Sequence, residues 1–285
     1  MKSLASLRLG ALLLSFLVPS ACALRGVIPG GGAVRAQLRS VAGGGETRVY
    51  RLPCQRGVAS SITIARGAFV AVATQGGVYL AGLDQWYVSP QEDPITAVAA
   101  SGEDDLFVLQ TTGSGTQLGR ITPDSRRTGG VRPMLRFQRG VFQVAASGDT
   151  VWMWGRSPDS RWVLVRVPRE GPPERLADLS APITAVAPVG ENAAVIAVGA
   201  QLLLLRRAVA PQRLAALSDV VEGLAVRDDG VVAVSSGQGV YLMRSPGVFT
   251  ALATGIHGPL AAAGNRIYVL DQSQNEVVEI EEAPQ

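Results

Sequence analysis

An all-β fold is predicted by three observations. A short apolar strand, a Gly/Asp/Asn turn and a second short apolar strand recur six times: ITIARGAFVAV (62–72), VAASGEDDLFVL (98–109), VAASGDTVWMW (144–154), VAPVGENAAVIAV (186–198), LAVRDDGVVAV (224–234) and LAAAGNRIYVL (260–270). Equivalent first-strand positions, Ile62, Val98, Val144, Val186, Leu224 and Leu260, lie 36, 46, 42, 38 and 36 residues apart, close to the ~40–45 residues of a four-stranded blade. No segment reads as a capped amphipathic helix. Strand pairs repeated at this period predict a six-bladed β-propeller of four-stranded blades, because radial repetition leaves only short outer edges.

In chain order, residues 1–23 come first. Lys2 and Arg8 flank the start of the apolar run LGALLLSFLV (9–18), and small residues PSACA (19–23) follow. That order of basic, apolar and small residues is a secretory signal, and its apolar run is short for a bilayer span. Two cleavages compete. Ala21-Cys22-Ala23 permits a cut after Ala23, whereas Ser20-Ala21-Cys22 resembles a bacterial lipobox that would leave Cys22 as a lipid-bearing N-terminus, with Pro19 where an aliphatic residue is usual. The chain is therefore expected to be exported, either to the periplasm or outer membrane as a lipoprotein or in secreted form. Cys54 is then left without a partner in the mature chain, so stability must come from apolar burial rather than an internal disulfide.

Residues 24–45 hold seven Gly, three Arg and no acid, the composition of a flexible linker. The propeller domain is assigned to 46–285. TRVYRL (47–52) precedes the first repeat and belongs to no blade, while the sixth unit supplies only LAAAG, RIYVL and EVVEIE (276–281). The spare strand and the missing strand match, and pairing them removes two exposed sheet edges. Third and fourth strands of other blades read at GGVYLA (76–81) and DQWYV (84–88), RWVLVRVP (161–168) and ERLADL (174–179), QLLLLR (201–206) and QRLAAL (212–217), and GVYLM (239–243) and VFTAL (248–252). With the leader's two basic residues removed, charge is nearly balanced and no basic stripe appears, so nucleic acid is not an expected partner. Every basic residue after Lys2 is Arg, which is read as compositional bias.

At 221–234, VEGLAVRDDGVVAV resembles the NHL-repeat and SMP-30/gluconolactonase-like propellers, whose units run P-x-G-[IL]-A-V-D-x-x-G-x-[VIL]-[YW]-V. Gly223, Leu224, Ala225, Val226, Gly230 and Val234 match; Arg227 replaces the usual Asp and Ala233 the usual aromatic residue. The resemblance implies a six-bladed propeller over about 47–285. In the lactonases of that superfamily, central carboxylates and Asn surround a divalent cation such as Ca²⁺. The corresponding candidates here are Glu222, Asp93, Asp219 and Asn265, with Glu222, before the inner strand of blade five, the best of them; their contexts do not reproduce the family's ligand pattern.

Other chemistry has less to stand on. The acids Glu103, Asp104, Asp105, Asp149, Asp228 and Asp229 occupy inner hairpin turns, where Asp and Gly set the turn, and no D-x-[DN]-x-[DN]-G spacing follows. His257, the single histidine, lies in TGIHGP (254–259) with no G-x-S-x-G elbow to serve. No sialidase box occurs, and TTGSGTQLG (111–119) reads as a loose hairpin rather than a phosphate cradle. Surface recognition has more candidates, because loops joining successive blades and loops joining second to third strands share one face. That face is expected to gather Trp86, Tyr87, Asp93, Arg132, Arg136, Phe137, Arg139, Arg156, Asp159 and His257, the arginines and aromatics that binding patches favour. The alternative for Trp86 and Phe137 is packing between blades. The functional expectation is a non-catalytic, membrane-tethered scaffold, without cofactor, that binds an envelope protein or polymer. A metal-dependent lactonase-like hydrolase and a small-ligand sensor are the alternatives.

Overall fold

A computed structural model describes residues 47–53, 59–65, 69–100, 105–127, 130–137 and 140–282. The leader, Cys22, the linker, Cys54, Glu103, Asp104 and Arg139 lie outside these. Among the described residues there are 24 strands and one five-residue helix. Strand β1 (Thr47–Arg51) comes first. Blade one is β2 (Ala59–Ala65), β3 (Phe69–Thr74), β4 (Gly77–Ala81) and β5 (Gln85–Val88). Blade two is β6 (Ile95–Ala100), β7 (Leu106–Thr112), β8 (Gly115–Ile121) and β9 (Arg132–Phe137), with helix α1 (Pro123–Arg127) before its last strand. Blade three is β10 (Val141–Ser147), β11 (Thr150–Arg156), β12 (Trp162–Val167) and β13 (Glu174–Leu179). Blade four is β14 (Ile183–Pro188), β15 (Ala193–Val198), β16 (Gln201–Arg206) and β17 (Val209–Ala216). Blade five is β18 (Val221–Val226), β19 (Val232–Ser236), β20 (Gly239–Ser245) and β21 (Val248–Thr254). Blade six has β22 (Leu260–Ala263), β23 (Arg266–Asp271) and β24 (Glu276–Glu281), and its fourth strand is β1, paired antiparallel from Thr47↔Ile280 to Arg51↔Glu276.

The chain is thus an all-β six-bladed propeller. Its inner strands β2, β6, β10, β14, β18 and β22 neighbour one another in a ring, β22 returning to β2. The core is correspondingly divided into six wedges, one between each pair of adjacent blades. The pleat explains this division. Val70 and Val72 of β3 face blade six while Ala71 and Ala73 face blade two, and Leu106 and Val108 of β7 face blade one while Phe107 and Leu109 face blade three. Each middle strand is buried on both faces, so it reads as a continuous apolar run instead of an alternating one. Trp152 and Trp154 point together into the wedge between blades three and four.

Polar contacts fasten the same seams. Arg166 donates from Nε to the Glu191 carbonyl across 2.6 Å, and Arg207 lies 2.8 Å from Glu174, both linking blades three and four. Arg227 joins blade five to blade six through Glu282. Exposed pairs such as Arg161–Asp178 stay within one blade, where solvent screens them.

The sixth blade holds a buried carboxylate. Glu279 on β24 is 3% exposed; it accepts a hydrogen bond from the Tyr50 hydroxyl of β1, and Arg266 Nε lies 3.4 Å away. Beyond Arg51 the ladder continues, with Leu52 N donating to the Asn275 carbonyl (3.1 Å) and the Asn275 side chain donating back to the Leu52 carbonyl (3.3 Å). Burial, and then the bond to Glu279, push the Tyr50 hydroxyl up to about 12. Because the folded value exceeds the unfolded one, this contribution is complete below about pH 10 and is lost as pH rises through about 12. Tyr50→Phe is expected to melt below wild type at pH 8, by the ~1–3 kcal/mol of a buried bond to a charged group, with the gap closing between pH 10 and 12. Thermal melts across that range check this; a gap independent of pH would contradict it.

Candidate functional site

The inner strands all begin at one end of the ring. At that end four of them carry a β-bulge: the β-ladder skips Ser60 in β2, Thr96 in β6, Thr184 in β14 and Glu222 in β18. A bulged residue drops out of the pairing and its side chain is re-aimed. All four are polar, and each lies two positions before its repeat marker. The equivalent residues of the other blades are Phe142, in an unbroken register, and Gly258.

Below this polar collar the axis encloses a cavity of about 470 Å³. Its deeper wall is small and apolar, made of Val98–Ala100, Val144–Ala146, Ala185–Ala187, Gly223–Val226 and Leu260–Ala262. At the mouth the lining turns polar with Ser60, Gln143, Thr184, Glu222 and Gln272, of which Glu222 alone is ionisable. Blade one also satisfies exposed backbone of blade two: Val98 N donates to Ser61 Oγ (2.8 Å) and Ala100 N to Thr63 Oγ1 (3.0 Å). Thr184 Oγ1 is buried with no hydrogen-bond partner among the described residues.

His257 stands over this mouth, its Nδ1 2.7 Å from Glu222 Oε2. The sequence TGIHGP explains how it is held. Ile256 packs against the blade five–six core, Gly255 N donates to the Gln238 carbonyl (3.1 Å), and Gly258 N donates to Ser235 Oγ (2.9 Å). Gly258 has φ +134°, and a Cβ there would lie 2.3 Å from the Leu270 carbonyl oxygen. A Cβ on Gly223, next to the bulge, would meet the Gly258 carbonyl oxygen at 2.3 Å. Two backbones therefore touch where only glycine fits, and that contact brings Glu222 under His257.

The other sequence-predicted residues are distributed as follows. Asp93, Arg156, Asp159 and His257 lie at the mouth end in loops or at a strand end, Asp159 accepting from the Ser157 hydroxyl. Residues 132–137, read from the sequence as part of a loop, form the outer strand β9. That strand puts Arg132 at the opposite end, paired with Arg120, and Phe137 at the mouth end, paired with Thr116. Arg136 is exposed and donates from Nε to Gln117 Oε1 (2.9 Å). Phe137 packs tilted on Phe142, with ring centroids 5.5 Å apart. Trp86 meets Tyr79 edge-on at 5.4 Å in the blade six–one wedge, and Tyr87 packs into the blade one–two wedge. Asp219 neighbours the same turn as Glu222 and accepts from Val220 N (2.8 Å). Asn265 occupies the far end of the ring, bonded to Glu281.

Glu222 is the single carboxylate lining the cavity, among hydroxyls and amides, with Asp219 beside the same turn, and no group of three His, Cys, Asp or Glu converges among the described residues, whereas a hard divalent cation draws on several oxygen ligands. What the arrangement can do is accept and donate hydrogen bonds to a ligand on the axis, with one carboxylate–imidazole pair at its edge.

No family model matches the chain, and no curated protein matches its sequence. Among solved structures it is similar to a gluconolactonase from Xanthomonas campestris, at 15% identity and a TM-score of 0.68, covering 90% of this chain and 99% of that one. It is also similar to virginiamycin B lyase from Staphylococcus aureus, at 10% identity and a TM-score of 0.56, covering 83% and 99%. A further streptogramin B lyase matches at 8% identity and a TM-score of 0.56. The shared feature is the fold, a six-bladed propeller.

Gly223→Ala is expected to destabilise the protein by about 1–3 kcal/mol through backbone overpacking and to separate Glu222 from His257. Urea unfolding and the His257 ring NMR signals check both effects; an unshifted His257 spectrum in a folded variant would contradict the second.

Proposed function

We propose that the protein is an exported, lipid-anchored propeller that binds a cell-envelope component, a protein or a polymer, at its axial mouth without turning it over. The observation that carries this reading is the lining of the axial cavity at its mouth: hydroxyl and amide groups, with Glu222 as the single lining carboxylate, suit hydrogen-bonded recognition. Residues 1–23 support export, and Cys22 supports the anchor. Arg156, Asp93 and Asp159 extend the polar rim at the same end.

One observation favours a second reading. The hydrogen bond between His257 and Glu222 is the arrangement in which a carboxylate orients an imidazole for proton transfer, and the similar structures include enzymes named as a gluconolactonase and as lyases. On that reading His257 would hold or move a proton at a ligand atom in the mouth, Glu222 would fix its ring, and the collar would orient the ligand.

A panel of lactones and esters, assayed with Ca²⁺, with Mn²⁺ and with chelator, separates the two. The binding reading expects no chelator-sensitive turnover, and expects Glu222→Gln and His257→Ala to weaken capture of the envelope ligand while the melting temperature stays near wild type. Turnover that disappears in both variants would transfer the assignment to the second reading.

A further inference from the structure

A second recess of about 450 Å³ opens at the mouth end, off the axis, between the inner strands of blades one to three and the β7–β8 turn. It shares Ser60 and Gln143 with the axial cavity. Among the described residues no ionisable side chain lines it. Hydroxyls of Ser60, Thr96, Thr111, Thr112 and Thr116 do, and three of them commit their protons to backbone: Ser60 Oγ donates to the Thr96 carbonyl (2.6 Å), Thr96 Oγ1 to Leu109 (3.3 Å) and Thr116 Oγ1 to Gly140 (2.9 Å), while Thr112 Oγ1 lies 3.2 Å from both the Gly115 carbonyl and Ser114 Oγ. A hydroxyl whose one proton is committed presents only lone pairs to its other side. Gly113 and Gly115 lie in the outer wall, and Phe142, itself buried in the blade two–three wedge, lends an apolar edge.

The recess therefore offers several neutral acceptors, an amide at Gln143 and an apolar edge at Phe142. Among the described residues an anion finds no charged donor there, and a divalent cation finds no carboxylate. A molecule with many O–H donors and apolar C–H faces matches on both counts. We infer that this recess is a saccharide subsite continuous with the axial mouth through Ser60 and Gln143, so that the ligand is a neutral oligosaccharide chain laid from the axis across blade two. The inference rests on the mouth being a binding site, and it narrows the envelope ligand to a neutral glycan polymer.

Binding of the mature protein to a panel of neutral and uronate-bearing oligosaccharides of two to six units tests it, by calorimetry with amide-shift mapping. Neutral members are expected to bind, more tightly as length grows from two to four units. That gain should fall by about tenfold in Thr111→Val/Thr112→Val, the loss expected for one or two hydrogen bonds. Gly113→Leu provides a second variant: an added Cβ meets nothing within 4 Å, so the fold is kept while bulk enters the recess, and the same loss is expected. Preference for the uronate-bearing members, binding without length dependence, or no binding by any member would overturn the saccharide subsite. The mouth reading fails separately: shifts confined to Thr111–Thr116, with Glu222→Gln binding as wild type, would keep the subsite and refute the mouth. Shifts confined to the axial strands would do the reverse.

Discussion

The interaction on which the rest depends is the ladder between the first and last described strands, β1 on β24. A radial arrangement of sheets has no hub of its own. Each blade is held by its two neighbours, so the ring resists opening only as far as its last seam does. Here the last blade takes its outer strand from residues 47–51, and what lies behind that strand is more than backbone pairing. Val49 is buried against blades five and six, and Tyr50 reaches across to the buried carboxylate of Glu279 while its ring lies against Gly82 of blade one. Removing the hydroxyl donor from this buried carboxylate costs about 1–3 kcal/mol, more than the ~1 kcal/mol of an ordinary ladder bond. The Tyr50–Glu279–Arg266 group is therefore the strongest polar link in the seam, and the surface ion pairs elsewhere are secondary.

From closure follows the geometry of the axis. Six inner strands converge, and the crowding selects Ala, Val and Gly along the cavity wall. Small residues leave a cavity with nothing reactive in its depth, which moves chemistry to the end where the strands start. There the bulges turn Ser60, Thr96, Thr184 and Glu222 out of the ladder, and the glycine contact between Gly223 and Gly258 sets His257 over Glu222. Fold and site are coupled through those backbone contacts, so mutations at either glycine act on both.

Blade number, strand count and the spare N-terminal strand were legible because the turn chemistry between paired strands repeats with the blade. The second blade was the hardest to read. Its third strand hides in TTGSGTQLG, and its fourth, RPMLRF, carries two arginines and a proline on a solvent-exposed edge, where neither alternation nor hydrophobicity is required. The aromatic candidates misled for a related reason: outer strands alternate between solvent and a wedge, and sequence alone does not say which phase places Trp86 or Phe137 inward. His257 and Glu222 were each visible separately, but their contact spans 35 residues and depends on two glycines. The collar has a readable signal in the sequence. Aligning the six repeats puts Ser60, Thr96, Thr184 and Glu222 in one column, two residues before each apolar marker, where a polar residue in an otherwise apolar inner strand signals a bulge.

The central claim, that the ring stands or falls with the β1–β24 ladder, is tested most directly by native-state hydrogen exchange. The account predicts that the paired amides of β1 and β24 exchange only with the free energy of global unfolding, together with those of the middle strands β7, β15 and β19. Early exchange of β1, at a free energy well below global while those middle strands remain protected, would contradict it.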